Sequence, residues 1–427
     1  MSITSATLQT IATRPIKPDT AVQMPGSKSY THRMLIAAAL SNGRCIVRNP
    51  LQSEDTLLTA RCLRQMGIPI DAEGRDFIVG GRNGRITAPR SPVDLGNSGT
   101  SMRLLTAVAA LGQGTFSLTG TERMAERPIQ ELIDALVQLG VRIRSTHHNG
   151  CPPVEIVGKK IRGGTVNIDC RRSSQYLSAL LLIAPYTERG LEILVTEGPV
   201  SRPYVDMTVD VMDIFGVPVS REGYERFKVD GRQVYRAGTY TVEPDGSQAG
   251  YFWAAAAVCG KDVKVKGVTA DSSQGDVNFA KVLAAMGCEI TTEPDGITVS
   301  GRHLRAADVD MSDMPDMVPT LAVIAAFAEG TTIIRNVSHL KAKESDRLSA
   351  VVNELVKMGI DARCSADELF VKGGKPHGAE IETYGDHRIA MSFAVGGLVA
   401  PGMFIQDENC VEKSFPDFWN VFGGLYS

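Results

Sequence analysis

A glycine placed to end a helix recurs six times along this chain, at Gly67, Gly140, Gly216, Gly287, Gly359 and Gly423, at intervals of 64 to 76 residues. Five of the six stand between Leu, Met or Phe and an apolar residue or cysteine, as in Met66-Gly67-Ile68 and Leu139-Gly140-Val141. The sixth, Phe422-Gly423-Gly424, lies near the last residue. A helix that stops at a left-handed glycine and turns into a strand accounts for the pattern. The chain therefore reads as one supersecondary unit copied six times, a constraint on architecture that precedes any single motif.

Each copy has the same internal order. A short strand leads into a polar loop rich in Gly, Ser, Asp or Arg. An almost wholly apolar, Ala-rich segment follows, at residues 34–40, 104–111, 176–183, 252–258, 321–328 and 389–395. A helix apolar on all sides must be enclosed on all sides. A second strand, a second polar loop and an amphipathic helix come next. In residues 128–139 the apolar positions Ile129, Leu132, Ile133, Leu136 and Val137 form the stripe of a half-buried helix. Pro128 is expected at its first helical position. One helix per copy should be central, one should face water, and sheet should lie outside them, which makes an α/β chain.

At 427 residues the chain is too long for one core and suits two domains of three copies each. Residues 236–250, RAGTYTVEPDGSQAG, are a candidate junction. No apolar run approaches the length of a membrane span. The first twenty residues lack the apolar core of a secretion signal. The eight cysteines are scattered without a Cys-x-x-Cys pair and read as reduced thiols of a cytoplasmic protein.

A net charge of −3 argues against a nucleic-acid binder. Yet the loops that open the helices gather Lys28, Arg33, Arg103, Arg127, Arg171, Arg172, Arg202, Lys343, Arg347, Arg388 and Lys413. Helix starts add unpaired N–H groups and partial positive charge, so these loops suit small anions. The individual loops are Pro25-Gly26-Ser27-Lys28-Ser29, Gly96-Asn97-Ser98-Gly99-Thr100, Glu126-Arg127-Pro128-Ile129, Ser173-Ser174-Gln175, Ser201-Arg202-Pro203, Asp313-Met314-Pro315-Asp316, Lys343-Glu344-Ser345-Asp346-Arg347, Asp386-His387-Arg388 and Glu412-Lys413. Gly-Ser-Lys-Ser resembles a phosphate cradle, but the spacing of a Walker loop is absent. Plain capping of a helix is the competing account of Asp316.

Taken together and in order, these motifs resemble 5-enolpyruvylshikimate-3-phosphate synthases over essentially the whole chain. The resemblance implies two similar domains, each of three βαβαββ-type units about a pseudo-threefold axis, divided as 1–24 plus 243–427 against 25–242, with the active site in the cleft between them. It implies transfer of a carboxyvinyl group from phosphoenolpyruvate to shikimate 3-phosphate by a monomer without metal or organic cofactor. It assigns Lys28, Ser29, Arg33, Ser173, Ser174, Gln175, Ser201, Asp316 and Lys343 to shikimate 3-phosphate. It assigns Lys28, Asn97, Gly99, Arg127, Gln175, Glu344, Arg347, Arg388 and Lys413 to phosphoenolpyruvate. Asp316 is the expected base, with Lys28 and Glu344 as candidates for protonating C3.

Some positions depart from the commonest family pattern. Thr31-His32 replaces Ser-Asn, Leu104 stands where many members have proline, and His339 stands where many have an asparagine that helps hold shikimate. His387 reads as a neighbour of the site, and His147 and His148 as surface residues. Two other readings compete. UDP-N-acetylglucosamine enolpyruvyl transferases share the fold but carry a reactive cysteine before their Arg-Pro, where this chain has Thr121-Glu122-Arg123-Met124-Ala125-Glu126. A non-catalytic or nucleic-acid-binding relative would not need Asp316, Lys28 and Glu344 together.

If neither a metal nor a thiol takes part, chelators should leave turnover intact. Cys→Ser changes at the eight positions should then retain turnover. One cysteine change that abolishes turnover in a folded protein would favour the UDP-N-acetylglucosamine reading.

Overall fold

The computed structural model describes residues 8–426. The chain divides into two compact units. One holds the chain through Pro25 together with Pro244 onward, and the other is Gly26–Glu243. Each unit has its own apolar core.

Within the units the expected α/β repeat is present six times. The apolar segments form the helices Lys28–Leu40, Gly99–Ala110, Gln175–Ile183, Gly246–Cys259, Val318–Ala325 and His387–Gly397, which are buried along almost their whole length. The amphipathic helices are Glu54–Gln65, Gln130–Gln138, Pro203–Ile214, Phe279–Ala285, Arg347–Lys357 and Phe418–Gly423. Among the described residues no helix is long and apolar enough to cross a membrane.

Among the described residues five sheets have four strands in a common order, and one has three. In four copies the strands on either side of the buried helix pair in parallel, as Val93–Asp94 does with Gly114–Thr119. The other two copies exchange these strands. Thr20–Gln23, which precedes Lys28–Leu40, pairs in parallel with Asp262–Lys266. Thr239–Thr241, which precedes Gly246–Cys259, pairs with Arg44–Arg48. Both chain crossings between the units follow directly from this exchange. In the three-stranded sheet, Leu8–Ile11 runs antiparallel to Met403–Gln406. It occupies the place filled in the other sheets by the second of the two strands that follow the amphipathic helix.

Three sequence expectations change. Gly67, Gly140, Gly216, Gly287 and Gly359 do have positive φ, from 78° to 107°. Gly423 does not: it lies inside the helix Phe418–Gly423, which runs on into a turn with Gly424 N–H donating to the Asn420 carbonyl. Val137 is 51% exposed, because the buried stripe of its helix is Leu132, Ile133, Ala135 and Leu136. Pro128 precedes a helix that begins only at Gln130, with its carbonyl turned to Arg103.

A second glycine register emerges from the packing. Gly81, Gly158, Gly231, Gly301 and Gly373 lie at or just beyond the end of a strand. A Cβ at any of them would come within 1.7 to 2.7 Å of a carbonyl oxygen at the end of the neighbouring buried helix or in the turn after it. These strands can approach the helix ends only without a side chain.

Gly373→Ala, whose Cβ would stand 1.7 Å from the Ala328 oxygen, should lower stability by roughly 1–3 kcal/mol. Gly423→Ala meets nothing within 4 Å and sits in a helix, so it should be neutral or stabilising by up to about 1 kcal/mol. Urea midpoints of both variants check the contrast, and equal effects would mean that the packing argument is wrong.

Candidate active site

In the unit Gly26–Glu243 the residues expected to bind anions lie at helix starts. Ser27 caps Lys28–Leu40 by accepting from Tyr30 N–H. Lys28 Nζ lies 3.4 Å from Asp55. Arg33, one turn on, is only 1% exposed. It donates to the Ser29 carbonyl at 2.9 Å, to Thr208 Oγ1 at 2.7 Å, to Ser178 Oγ at 3.4 Å and to the Tyr204 carbonyl at 3.0 Å. Burial pulls its guanidinium down to about 10. The side chain thus braces the turn that presents Lys28 and Ser29.

A second group forms around Gly99. Arg127, 4% exposed, donates to the Asn97 carbonyl at 2.8 Å and to Asn97 Oδ1 at 3.1 Å. A Cβ on Gly99 would come within 2.4 Å of Arg127 Nη2 and 2.7 Å of Arg103 Nη1. Glycine is therefore what lets two guanidinium groups lie against one helix start. Arg103 donates to Gln175 Oε1 at 3.0 Å, while Gln175 Nε2 donates to Thr100 Oγ1 at 3.0 Å. Arg103 sets the Gln175 amide, a role that a bare tally of cations does not reveal. Ser174 and Ser201 are buried, Ser173 accepts from Gln175 N–H, and Ser201 has φ 56°.

In the other unit the chemistry gathers around two buried arginines. Arg347, 1% exposed, donates to Asp386 Oδ2 at 2.8 Å, to Asp316 Oδ1 at 2.8 Å and to Glu344 Oε2 at 2.9 Å. These carboxylates hold its guanidinium well above the usual range, against the opposing effect of burial. Arg388 donates to Asp316 Oδ2 at 2.9 Å and to the Tyr251 hydroxyl at 3.0 Å. Asp316 is thus not a plain helix cap: each of its oxygens accepts from a guanidinium. Asp386 caps the helix His387–Gly397, accepting from Arg388 N–H, and also accepts from Ser345 Oγ at 3.0 Å. Lys413, 6% exposed, ends the turn Glu408–Lys413. Lys343 follows the turn Ser338–Ala342 and is half-buried.

Arg171, Arg172 and Arg202 belong to neither group. Arg171 and Arg172 pair on the surface with Asp169 and Glu131, and Arg202 lies over the Tyr224 ring at 5.1 Å. The departures from the family pattern sit inside the units. His32 Nδ1 lies 2.8 Å from Thr59 Oγ1, which is 2.6 Å from Ser101 Oγ, which in turn is 2.7 Å from Ser98 Oγ. Leu104 is in the core. His339 is 8% exposed, and burial with Lys343 nearby pushes its imidazole down to about 3, so it is neutral. His387 is buried with Nδ1 3.7 Å from Asp386, and His147 and His148 are exposed. Burial raises the thiols of Cys62, Cys170, Cys259 and Cys410 to about 12. Among the described residues no group of three or more His, Cys, Asp or Glu is placed to hold a metal.

The fold is that of a six-repeat α/β protein with arginine-rich clusters at the starts of buried helices. The family model of EPSP synthase (3-phosphoshikimate 1-carboxyvinyltransferase) matches residues 14–422, and the chain belongs to that family. A 3-phosphoshikimate 1-carboxyvinyltransferase of Syntrophobacter fumaroxidans is 44% identical over 409 residues, 95% of this chain and 97% of that one. A protein of the same name from Methanosphaerula palustris is 45% identical over 95% of this chain and 97% of its own length. The solved structure of EPSP synthase from Acinetobacter baumannii has a TM-score of 0.83 at 28% identity, covering 99% of this chain and 98% of that one.

Asp386→Ala would leave the buried Arg347 guanidinium short of one carboxylate and the helix His387–Gly397 without its cap. Removing one partner of a buried ion pair costs about 3–5 kcal/mol. An unfolding free energy, from urea titration, lowered by less than about 1 kcal/mol would show that Asp316 and Glu344 suffice.

Proposed function

We propose that this chain transfers the carboxyvinyl group of phosphoenolpyruvate to the 5-hydroxyl of shikimate 3-phosphate, releasing phosphate, in the synthesis of chorismate and the aromatic amino acids. The observation that carries the proposal is family membership over residues 14–422, with the anion-loop motifs present in order. We further propose that it works as a monomer in the cytoplasm.

The chemistry proceeds by addition and elimination. The hydroxyl oxygen bonds to C2 of phosphoenolpyruvate and gives up its proton, while C3 gains a proton and becomes a methyl group. The C2–O bond to phosphate then breaks, phosphate leaves with the bonding pair, and C3 returns a proton as the product double bond forms. Such a course needs a base at the hydroxyl, an acid at C3 and cations around the leaving group.

Asp316 is assigned as the base. Its place supports this: two guanidinium groups orient the carboxylate, and a carboxylate oxygen has more than one acceptor site. Lys28 and Glu344 are the candidates for the proton at C3. Ser29, Ser173, Ser174, Ser201 and Lys343 take the shikimate phosphate, and Arg33 serves the same substrate, bracing Ser29 from beneath. Lys28, Asn97, Gly99, Arg127, Arg347, Arg388 and Lys413 serve phosphoenolpyruvate, whose carboxylate and phosphate suit forked guanidinium contacts. Gln175 serves both substrates.

The direct test is release of phosphate from phosphoenolpyruvate with and without shikimate 3-phosphate. Release that does not depend on shikimate 3-phosphate would overturn the proposal. Asp316→Asn and Glu344→Gln should lose turnover by about 10²–10⁴. Calorimetry should show each variant binding shikimate 3-phosphate within a few-fold of the parent. An Asp316→Asn enzyme that turns over within a few-fold of the parent would mean the aspartate only orients the arginines.

A further inference from the structure

We infer that Glu354, which has no part in the reaction proposed above, is a positioning residue: it clamps the loop before the helix His387–Gly397, so that Asp386 and Arg388 meet Arg347 and Asp316 in one arrangement. The inference rests on the reading of Arg347 and Arg388 as phosphoenolpyruvate residues.

Glu354 lies on the helix Arg347–Lys357, whose other buried residues include Leu348, Val351 and Leu355. Its side chain is 0% exposed. A carboxyl is costly to bury unless donors reach it. The Tyr384 hydroxyl donates to Oε1 at 2.8 Å, and Glu382 N–H donates to Oε2 at 3.1 Å. Lys357 Nζ, from the surface, donates to Oε2 at 2.8 Å. Glu382 and Tyr384 belong to one short loop, residues 382–386, between the strand Glu380–Ile381 and the helix His387–Gly397.

The loop needs such a hold. Tyr384 has φ 56° and Gly385 has φ 63°. Left-handed backbone is free to glycine but strains a tyrosine, and it persists where the surroundings fix it. Glu354 fixes this tyrosine by its hydroxyl. Asp386 N–H donates to the Thr383 carbonyl at 2.8 Å and closes the turn. Asp386 then accepts from the Arg347 guanidinium at 2.8 and 3.2 Å and from Arg388 N–H at 2.9 Å. About two turns of one helix separate Arg347 from Glu354. That helix therefore grips the loop twice, at Asp386 through Arg347 and at Glu382 and Tyr384 through Glu354. One grip leaves the loop able to pivot, and two hold it.

The consequence falls on the two arginines. Arg388, in the first turn of the helix that the loop enters, donates to one oxygen of Asp316, and Arg347 donates to the other. Their relative placement comes from the junction that Glu354 fastens. Forked contacts to phosphoenolpyruvate need that placement. The serines assigned to the shikimate phosphate, Ser29, Ser173, Ser174 and Ser201, belong to the other unit and do not depend on this loop.

The experiment measures steady-state kinetics and amide hydrogen exchange for the wild type, Glu354→Ala, Glu354→Gln and Tyr384→Phe. Glu354→Ala should raise the Michaelis constant for phosphoenolpyruvate roughly tenfold and leave that for shikimate 3-phosphate within about twofold. Exchange at residues 382–388 should quicken roughly tenfold or more, while the helix Gly246–Cys259 keeps the parent's rates. Glutamine retains the shape: its oxygen accepts from Glu382 N–H while its amide N–H donates to the Tyr384 oxygen. Glu354→Gln should therefore stay within about twofold of the parent in both readouts. Where Glu354→Ala does not fold, Tyr384→Phe carries the test. It loses a single hydrogen bond at a half-buried ring and should raise the phosphoenolpyruvate constant roughly threefold. Equal rises for both substrates overturn the inference, because they would make Glu354 merely structural. So does an unchanged phosphoenolpyruvate constant in a folded variant, or a Glu354→Gln variant as impaired as Glu354→Ala. A wild type that releases no phosphate would overturn the proposed reaction instead, and the exchange rates would still decide whether the clamp exists.

Discussion

Asp386 joins fold to site through one carboxylate. It accepts from the Arg388 N–H at the start of a buried helix, and it accepts two hydrogen bonds from the guanidinium of Arg347. A helix apolar on every side, such as His387–Gly397, can bring its unpaired N–H groups to rest only where a polar residue reaches them. That residue is then itself buried and needs a cation. Arg347 meets that need and in turn fixes Asp316 and Glu344. The candidate catalytic cluster is thus a by-product of burying a helix completely.

The same logic runs through the other unit with different residues. Ser27 caps Lys28–Leu40, and Arg33 holds the carbonyl of Ser29 one turn below. Gly99 opens the helix Gly99–Ala110 with no side chain, and two guanidinium groups occupy the space that a Cβ would take. Backbone carbonyls, Asn97 and Gln175 accept hydrogen bonds from Arg103 and Arg127 there. Around Arg347 the acceptors are carboxylates instead.

Much of this was legible in the residues. The six-fold period follows from helix-ending glycines, because a left-handed C-cap needs a residue without a Cβ and the period of such residues is a local property. The buried helices follow from runs with no polar face, and the anion loops from cations placed just before those runs. Candidate anion-site residues in local motifs, such as Lys28, Ser29, Arg127 and Arg388, can be named from the chain alone, because the proposal for them rests on residue type and place.

What the tertiary structure decided are relations between segments distant in sequence. That Thr20–Gln23 pairs with Asp262–Lys266 and Thr239–Thr241 with Arg44–Arg48 has no local signal, since any short apolar strand could pair with either partner. That Gly81, Gly158, Gly231, Gly301 and Gly373 are needed follows from backbone oxygens of helix ends far away in sequence. Val137 has the right residue type for the buried stripe, but its helix turns it to water. Arg103 reads in sequence as one more loop cation, and its hold on the Gln175 amide and the Pro128 carbonyl appears only in the fold. Periodicity and residue type are written along the chain, while burial, close approach and the net charge of a cluster exist only once the chain has folded.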